Sequence, residues 1–443
     1  QEAGQIDHGI TAGERILHDY PHSMFELKVR YTLAHLYEKT ADFSKAAGMY
    51  ASFVSAYDSA TGAAAEARAK KAAARAEARA AARKSKVKKV AAAPAAAPAP
   101  SDETGASRDE ERRALLTEAE KWVADALFNS GLWFESLGES DKALTAYRSY
   151  LSRFKDRPDV PRIAYNVGLV QQKEGKWGDS MRTFTVFIDT YARDSRTSGG
   201  QLYLARYQLL RGFHKQRDAN NSERLQKDLV YLWNRLSPEE KQQTDILDAY
   251  GHARFLGVET AWKEYVAIRF KRVSTVRGDL AAKQRAMQKL EKSYIDVLSS
   301  GSGEWGIAAL TRIGLAYADF ARNIQESPNP PGLDEEQQAM YRGELENLAL
   351  PLEDKASEAL DKALGKAYEL SLYNEWTLAA QEQVNRYHPG AYAQVRQVPF
   401  RGSEFFATAD VAKDAGVPEE SSANPADSQQ KPSPSTASRE VQP

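Results

Sequence analysis

Small and aromatic side chains recur at fixed offsets in three segments of the chain, and this repeat constrains the fold more than any other feature. In each segment a small residue is followed twelve residues later by a second small residue, and four residues after that by an aromatic one. The three sets are Ala34, Ala46 and Tyr50; Gly131, Ala143 and Tyr147; and Gly168, Ser180 and Phe184. Such repeats bury their apolar faces only against neighbouring units, so they stack in arrays.

Each segment carries apolar residues at helical spacing in two runs, which a polar turn separates. The turns read KTADFSKA, LGESDKA and EGKWGDS. The small residues allow two helices to cross closely, and the aromatic residue fills the space that remains. The pattern therefore predicts an all-α protein made of helical hairpins that stack on one another.

These offsets resemble the tetratricopeptide repeat, a helical hairpin with a period of about 34 residues and a small–aromatic signature. The resemblance covers residues 27–58 and 124–193, and it implies a right-handed α-α superhelical solenoid. Arg30 and Ala164 depart from the family, which usually has tryptophan or leucine there, and Gln171 stands where it usually has an aromatic residue. A repeat of this kind indicates a fold and says little about chemistry.

The repeat register divides the chain into five parts. The step of 37 residues between Gly131 and Gly168, counted back from the first full unit, places Pro21 at a repeat end. ERILHDYPHS therefore reads as the second helix of a truncated unit. The predicted parts are N-terminal repeat units at 1–58, an insertion rich in Ala, Lys, Arg and Pro at 59–113, regular units at 114–198, degenerate helical repeats at 199–408 and a disordered tail at 409–443.

Further helices are expected among the degenerate repeats. Ala205 lies 37 residues after Gly168 and marks another first helix of a hairpin. An apolar stripe over 280–298 has helical spacing. The stretch from Asp334 to about Tyr387 reads as one long helical segment that is broken or kinked at Pro351.

The insertion has a composition that cannot form a core, since no aromatic, Leu or Ile residue occurs between Tyr57 and Leu115. Residues 61–90 hold ten Lys or Arg against two Glu, a local charge of +8 in a chain whose net charge is −1. The Ala-rich part is expected to be partly helical, and the Pro/Ala part an extended spacer. Two interpretations stay open, a solvated spacer and a cationic arm for a polyanion or an acidic partner surface. The absence of aromatic residues argues against nucleic acid.

The sequence offers no grouping of residues that indicates catalysis, a cofactor or a metal. Cysteine is absent, which removes thiolate chemistry and Cys-type zinc sites. The histidines are dispersed, and Pro21 interrupts the helix face that His18 and His22 would share. GSGEWG at 301–306 matches the three-glycine dinucleotide pattern, but an amphipathic helix and not a strand precedes it. We therefore expect no enzyme activity, no cofactor and no metal site.

The resemblance implies a binding groove, because the first helices of tetratricopeptide units line the concave face of the stack. Tyr31, Phe128 and Tyr165 occupy one equivalent position, which predicts an aromatic ladder with large contact area. The alternatives are that these rings only pad the wall, or that the insertion splays the first unit away and breaks the ladder. Carried over residue by residue, the predicted groove consists of Lys28, Tyr31, His35, Lys39, Asp125, Phe128, Leu132, Glu135, Arg162, Tyr165, Leu169 and Lys173.

These features favour a non-enzymatic scaffold for protein–protein interaction. ILHDYPHS resembles the repeat ends of bacterial periplasmic tetratricopeptide proteins, and residues 290–400 are similar to myxobacterial envelope repeat proteins, among them a tetratricopeptide protein of the adventurous gliding-motility machinery. This resemblance implies partners in a multi-protein envelope assembly and a periplasmic or outer-membrane-associated location, with the cytoplasm as the alternative. The alternative functions are a module that binds an anionic polymer through the basic insertion, and an enzyme within 199–400.

Overall fold

The computed structural model describes residues 2–86 and 103–392, and every regular element in these ranges is helical. The α-helices are α1 (Glu2–Asp19), α2 (Glu26–Lys39), α3 (Phe43–Lys86), α4 (Glu103–Ser136), α5 (Ser140–Arg153), α6 (Val160–Lys173), α7 (Trp177–Tyr191), α8 (Gly199–Lys215), α9 (Ala219–Leu232), α10 (Thr244–Leu256), α11 (Glu259–Ala267), α12 (Val276–Leu298), α13 (Gly303–Gln325), α14 (Glu335–Glu369) and α15 (Glu375–Tyr387). Short 3₁₀ turns at Trp233–Arg235 and Glu240–Gln242 join α9 to α10.

Helices that follow one another in the chain pack together. Hairpins form from α2 and α3, α4 and α5, α6 and α7, and α8 and α9, and each hairpin packs on the next through α3 on α4, α5 on α6 and α7 on α8. Further along, α13 and α14 form the most extensive hairpin, and α15 packs on both. The prediction of an all-α protein built from stacked helical hairpins is confirmed, while the right-handed sense of the stack stays a prediction.

Close crossing within each hairpin depends on the small residues of the repeat. A Cβ atom added at Gly168 would lie 2.6 Å from Cζ of Phe184, and one added at Gly131 would lie 2.6 Å from Cδ1 of Tyr147. Real side chains do not approach so closely, so only glycine fits at these two crossings. In the first hairpin Ala34 takes this place beside the fully buried Tyr50.

The turn between the helices also recurs, and it uses the left-handed backbone region. Gly138 and Gly175 have φ angles of +77° and +70°, and Ala41 takes the equivalent position with φ of +59°. Glycine adopts this conformation without steric cost, whereas alanine is strained there. The register of the polar turns is therefore the same in all three units.

The described parts of the predicted insertion belong to two repeat helices, α3 and α4. Helix α3 continues without a break through residues 59–86, and α4 begins at Glu103, ten residues before the predicted end of the insertion. The helical part thus lengthens both helices of one interface, because α3 packs on α4. The Pro/Ala spacer falls in 87–102, and the predicted tail at 409–443 falls in 393–443, so both lie outside the described residues.

The predicted helical segment from Asp334 to Tyr387 is two helices. Of the two alternatives at Pro351, the break is wrong and the kink stays a prediction. Helix α14 runs through Pro351, with the buried residues Leu345 and Ala349 before it and Ala356 after it. Packing of this face against α13 outweighs the one backbone hydrogen bond that proline removes. The helix ends instead at Glu369, two residues before Ser371, whose φ is +53°. Asn374 then caps α15 by accepting from the backbone N–H groups of Trp376 and Thr377.

The glycine-rich segment at 301–306 connects two helices. Helix α12 ends at Leu298, Gly301 takes a left-handed turn with φ of +84°, and α13 begins at Gly303. The Ser302 hydroxyl caps α13 by accepting from the Trp305 backbone N–H at 3.1 Å. The strand that a dinucleotide-binding turn requires is absent from this segment.

Candidate functional site

The twelve predicted groove residues lie on α2, α4 and α6, the first helices of three successive hairpins. All twelve reach the surface. The exposed ones are Lys28, Lys39, Asp125, Arg162 and Lys173, and the half-buried ones are Tyr31, His35, Phe128, Leu132, Glu135, Tyr165 and Leu169. We call the surface that these helices form, together with its continuation on α8, α10 and α13, the first-helix face.

Helices α2 and α4 are in direct contact on this face. The rings of Tyr31 and Trp122 stack with centroids 5.0 Å apart and planes 8° apart. The Trp133 indole N–H donates to Oε1 of Glu38 at 2.6 Å, which ties α4 to the end of α2. The insertion therefore does not separate the first unit from the second, and the alternative in which it splays them apart is wrong.

The three rings of the predicted aromatic ladder do not contact one another, since the ring contacts of the described residues include none among Tyr31, Phe128 and Tyr165. Tyr31 stacks on α4 instead, and Phe128 lies under the guanidinium of Arg162, 5.4 Å from its ring centroid. Tyr165 packs against Phe184, with centroids 5.2 Å apart. Each ring thus has one side in the core and one edge on the surface, so it contributes both to the packing between the helices and to the first-helix face.

Charged side chains also pair from one first helix to the next. Lys173 Nζ lies 2.7 Å from Oε1 of Glu135, whose other oxygen accepts from the Tyr147 hydroxyl at 3.0 Å. Asp125 on α4 also pairs with Arg157, which lies 3.4 Å away in the turn between α5 and α6. Solvent screens exposed pairs such as these, so they contribute little to stability and exchange readily for partner charges.

Sequence reasoning stopped at α6, but the first-helix face continues on α8, α10 and α13. Gln208 Nε2 donates to the Tyr165 hydroxyl at 3.2 Å, and burial raises the pKa of Tyr165 to about 12, which keeps that hydroxyl protonated. The Tyr207 hydroxyl lies 2.9 Å from Nδ1 of His252. The His252 ring stacks on Trp305 at 3.9 Å with planes 4° apart.

The repeat register explains why these residues were missed. A step of 37 residues from Tyr165 leads to Leu202, an aliphatic residue that packs beside Phe184. The next aromatic residue of α8, Tyr203, is buried, and the one that contributes to the first-helix face, Tyr207, stands five residues after Leu202. A search for tyrosine, tryptophan and histidine over the whole of each first helix, and not at one position, finds Tyr207, His252 and Trp305.

His252 makes the stability of this region depend on pH. Burial is the main cause that lowers the pKa of His252 from 6.5 to about 3, and the electrostatic effect of the nearby His214 and Arg211 acts in the same direction. Below pH 6.5 the unfolded chain gains a proton that the folded one does not, so stability falls as the pH drops from 6.5 towards 3. When the pH falls from 7 to 5, we expect the free energy of unfolding of the wild type to decrease by about 2 kcal/mol more than that of His252→Gln. Denaturant unfolding at each pH measures this difference, and parallel profiles would contradict it.

The face ends in a cluster of aromatic rings around Arg312. Its guanidinium lies 4.3 Å from the ring centroid of Trp262 and 5.0 Å from that of Trp376. Phe255 forms a third side at 5.9 Å. Glu259 accepts hydrogen bonds from Arg312 at 3.0 and 3.2 Å. Half-buried tryptophan beside a fixed arginine is the composition of an energetic centre in protein interfaces.

Within residues 2–86 and 103–392, no three His, Asp or Glu side chains are grouped in a way that would hold a metal ion. His18 lies in the last turn of α1, and His22 lies in the turn beyond it.

None of the helices over 2–86 and 103–392 combines the length and the apolar character that crossing a membrane requires.

Comparison with known proteins gives a loose structural likeness. No protein-family profile and no curated protein matches the chain. A tetratricopeptide repeat protein from Parabacteroides merdae ATCC 43184 aligns at 12% identity over 79% of this chain and 94% of its own, with a TM-score of 0.30. The TPR2AB domain of yeast Sti1, solved as a complex with pHSP90, aligns at 14% identity over 60% of this chain and 97% of its own, with a TM-score of 0.28.

Proposed function

We propose that the protein is a non-enzymatic scaffold that binds protein partners through its first-helix face. The observation that carries this proposal is the series of side-chain contacts that links consecutive first helices. Tyr31 with Trp122, Phe128 with Arg162, and His252 with Trp305 are examples, and they hold aromatic edges at the surface in fixed positions. Aromatic and arginine side chains held in this way lose little entropy on binding.

We also propose that the partners belong to a multi-protein assembly of the bacterial envelope, with the chain in the periplasm or attached to the outer membrane. The support is the sequence resemblance of ILHDYPHS and of residues 290–400 to envelope repeat proteins, including one of a gliding-motility machinery. Fractionation of native cells tests this location. Recovery of the chain in the cytosolic fraction alone would contradict it.

Charge reversal on the first-helix face is expected to weaken partner binding at least about tenfold, a loss of about 1.4 kcal/mol. The triple variant changes three exposed side chains, Lys28→Glu, Arg162→Glu and Lys173→Glu. The matched control reverses three exposed charges on second helices, Arg148→Glu, Arg182→Glu and Lys227→Glu.

Proteins that co-purify with the tagged full chain from native cells are quantified for the wild type and for both variants. Circular dichroism melting confirms that each variant is folded. The proposal predicts loss of partners in the first variant and retention in the second. Equal recovery from both variants would show that partners bind elsewhere.

A further inference from the structure

A second concave surface lies where the start of α2 meets α3 and the beginning of α4. It is an open groove of about 680 Å³. Its floor is one side of α3, where the side chains are small, and its walls carry longer apolar side chains from the other two helices. The residues that matter most are Ser59, Ala60 and Ala63 on α3, Leu27 on α2, and Leu115 and Leu116 on α4.

The groove is open because its three helices have unequal lengths. Helix α2 begins at Glu26, whereas α3 continues to Lys86 and α4 begins at Glu103. Beyond the start of α2, therefore, α3 and α4 continue as a pair of packed helices. Ser55, Ser59 and Ala63 of α3 are exposed there. An apolar groove between helices is the surface on which an amphipathic helix docks.

The helices that flank the groove carry a net positive charge in sequence, which is +6 over residues 61–86 of α3 and −1 over residues 103–113 of α4. Arg30 is neutralised by Glu26, whose Oε1 lies 2.8 Å from its guanidinium, but Arg112 stands exposed on the opposite rim. The continuation of α3 over 61–86 carries eight Lys or Arg against two Glu. A partner helix that carries acidic residues is therefore attracted to this groove, and one that carries basic residues is repelled.

We propose that an acidic amphipathic helix of a protein partner docks in this groove, with its apolar side on Leu27, Leu115 and Leu116 and its carboxylates towards Arg112 and the basic part of α3. This gives the proposed scaffold a second docking surface, which accounts for the basic insertion. The two surfaces can be tested separately, because none of Lys28, Arg162 and Lys173 lines the groove.

Two designed peptides of about five helical turns test the proposal. Both carry leucine at helical spacing on one face, and the polar face of one is glutamate and that of the other is lysine. Fluorescence anisotropy with the full chain measures their affinities. We expect the acidic peptide to bind at least about tenfold more tightly than the basic one, and more weakly as salt rises.

Three variants locate the binding. Ala63→Trp fills the groove and is expected to abolish binding of the acidic peptide, and Arg112→Glu is expected to weaken it about fivefold. Lys227→Glu on α9 is the matched control and leaves the affinity unchanged. Because Ala63 and Arg112 are exposed, both variants retain the fold, which circular dichroism verifies. This result is independent of whether the first-helix variants lose their partners.

Four outcomes would overturn the proposal. The first is equal binding of the basic peptide, and the second is binding of the acidic peptide that Ala63→Trp leaves unchanged. The third is tight binding of heparin that competes with the peptide and that Ala63→Trp does not weaken. The basic surface would then bind an anionic polymer. The fourth is a dimer in sedimentation that Ala63→Trp dissociates, since the groove would then hold a second copy of this chain.

Discussion

Replacing Asp319 with alanine is expected to lower the free energy of unfolding by about 3–5 kcal/mol. Lys283 is fully buried, and its Nζ lies 2.6 Å from Oδ2 of Asp319. The carbonyls of Tyr265 and Ile268 accept further hydrogen bonds from this ammonium group at 3.3 and 3.0 Å. Burial lowers the pKa of Lys283, and Asp319 opposes that shift. Without the Asp319 carboxylate, the Lys283 ammonium group in the folded state must either stay buried without a counter-charge or lose its proton.

Denaturant unfolding of Asp319→Ala measures this loss, and hydrogen exchange locates it. The increase in exchange should centre on α11, α12 and α13, which the pair holds together. The double variant Lys283→Met with Asp319→Asn removes both charges with side chains of nearly the same volume, and we expect it to recover most of the stability. A loss below about 1 kcal/mol in the single variant, with unchanged exchange, would show that the ion pair is not buried.

Replacing Phe184 with alanine is expected to cost about 3–5 kcal/mol, because the ring is fully buried in the third hairpin. Gly168→Ala changes the other partner of this contact, the residue against which the Phe184 ring packs. Its methyl group would enter the Phe184 ring, which costs about 1–3 kcal/mol by overpacking. Combining Gly168→Ala with Phe184→Leu makes room for the methyl group, so the two changes together should cost less than their sum.

Gly343 in α14 provides the matched control. A Cβ atom added there meets no atom within 4 Å, so Gly343→Ala should stabilise the helix by about 0.5–1 kcal/mol through helix propensity. Thermal and denaturant unfolding of Phe184→Ala, Gly168→Ala, Phe184→Leu, the double variant and Gly343→Ala gives the comparison. If Gly168→Ala were as stabilising as Gly343→Ala, the close crossing of α6 and α7 would be wrong.

The regular hairpins were predictable because their contacts are close in sequence. Ala46, Tyr50, Ala143 and Tyr147 are all buried where the repeat places them. A helix pair joined by a short turn meets at fixed offsets, so the same residue types recur at the same positions. The helices of the degenerate part were also predictable, and the stripe over 280–298 lies in α12.

The candidate site was predictable only in its first half. The register located the surface residues of α2, α4 and α6, but it gave no account of Trp122 and Trp133, which join α4 to α2. These tryptophans lie on a first helix that an insertion separates from its neighbour in sequence. Nothing local to either helix specifies such a contact, because the rotation of one hairpin on the next decides which side chains meet.

Local sequence patterns specify that the chain forms helical hairpins, where their turns fall, and which small and aromatic residues pack at each crossing. Tertiary structure alone decided that α3 and α4 extend past α2 and leave a groove. It also decided that His252 stacks on Trp305 and that Lys283 is buried against Asp319. The physical reason is the range of the contacts. Helical periodicity encodes neighbours within one hairpin, whereas side chains far apart in sequence meet only where the packing of several helices places them.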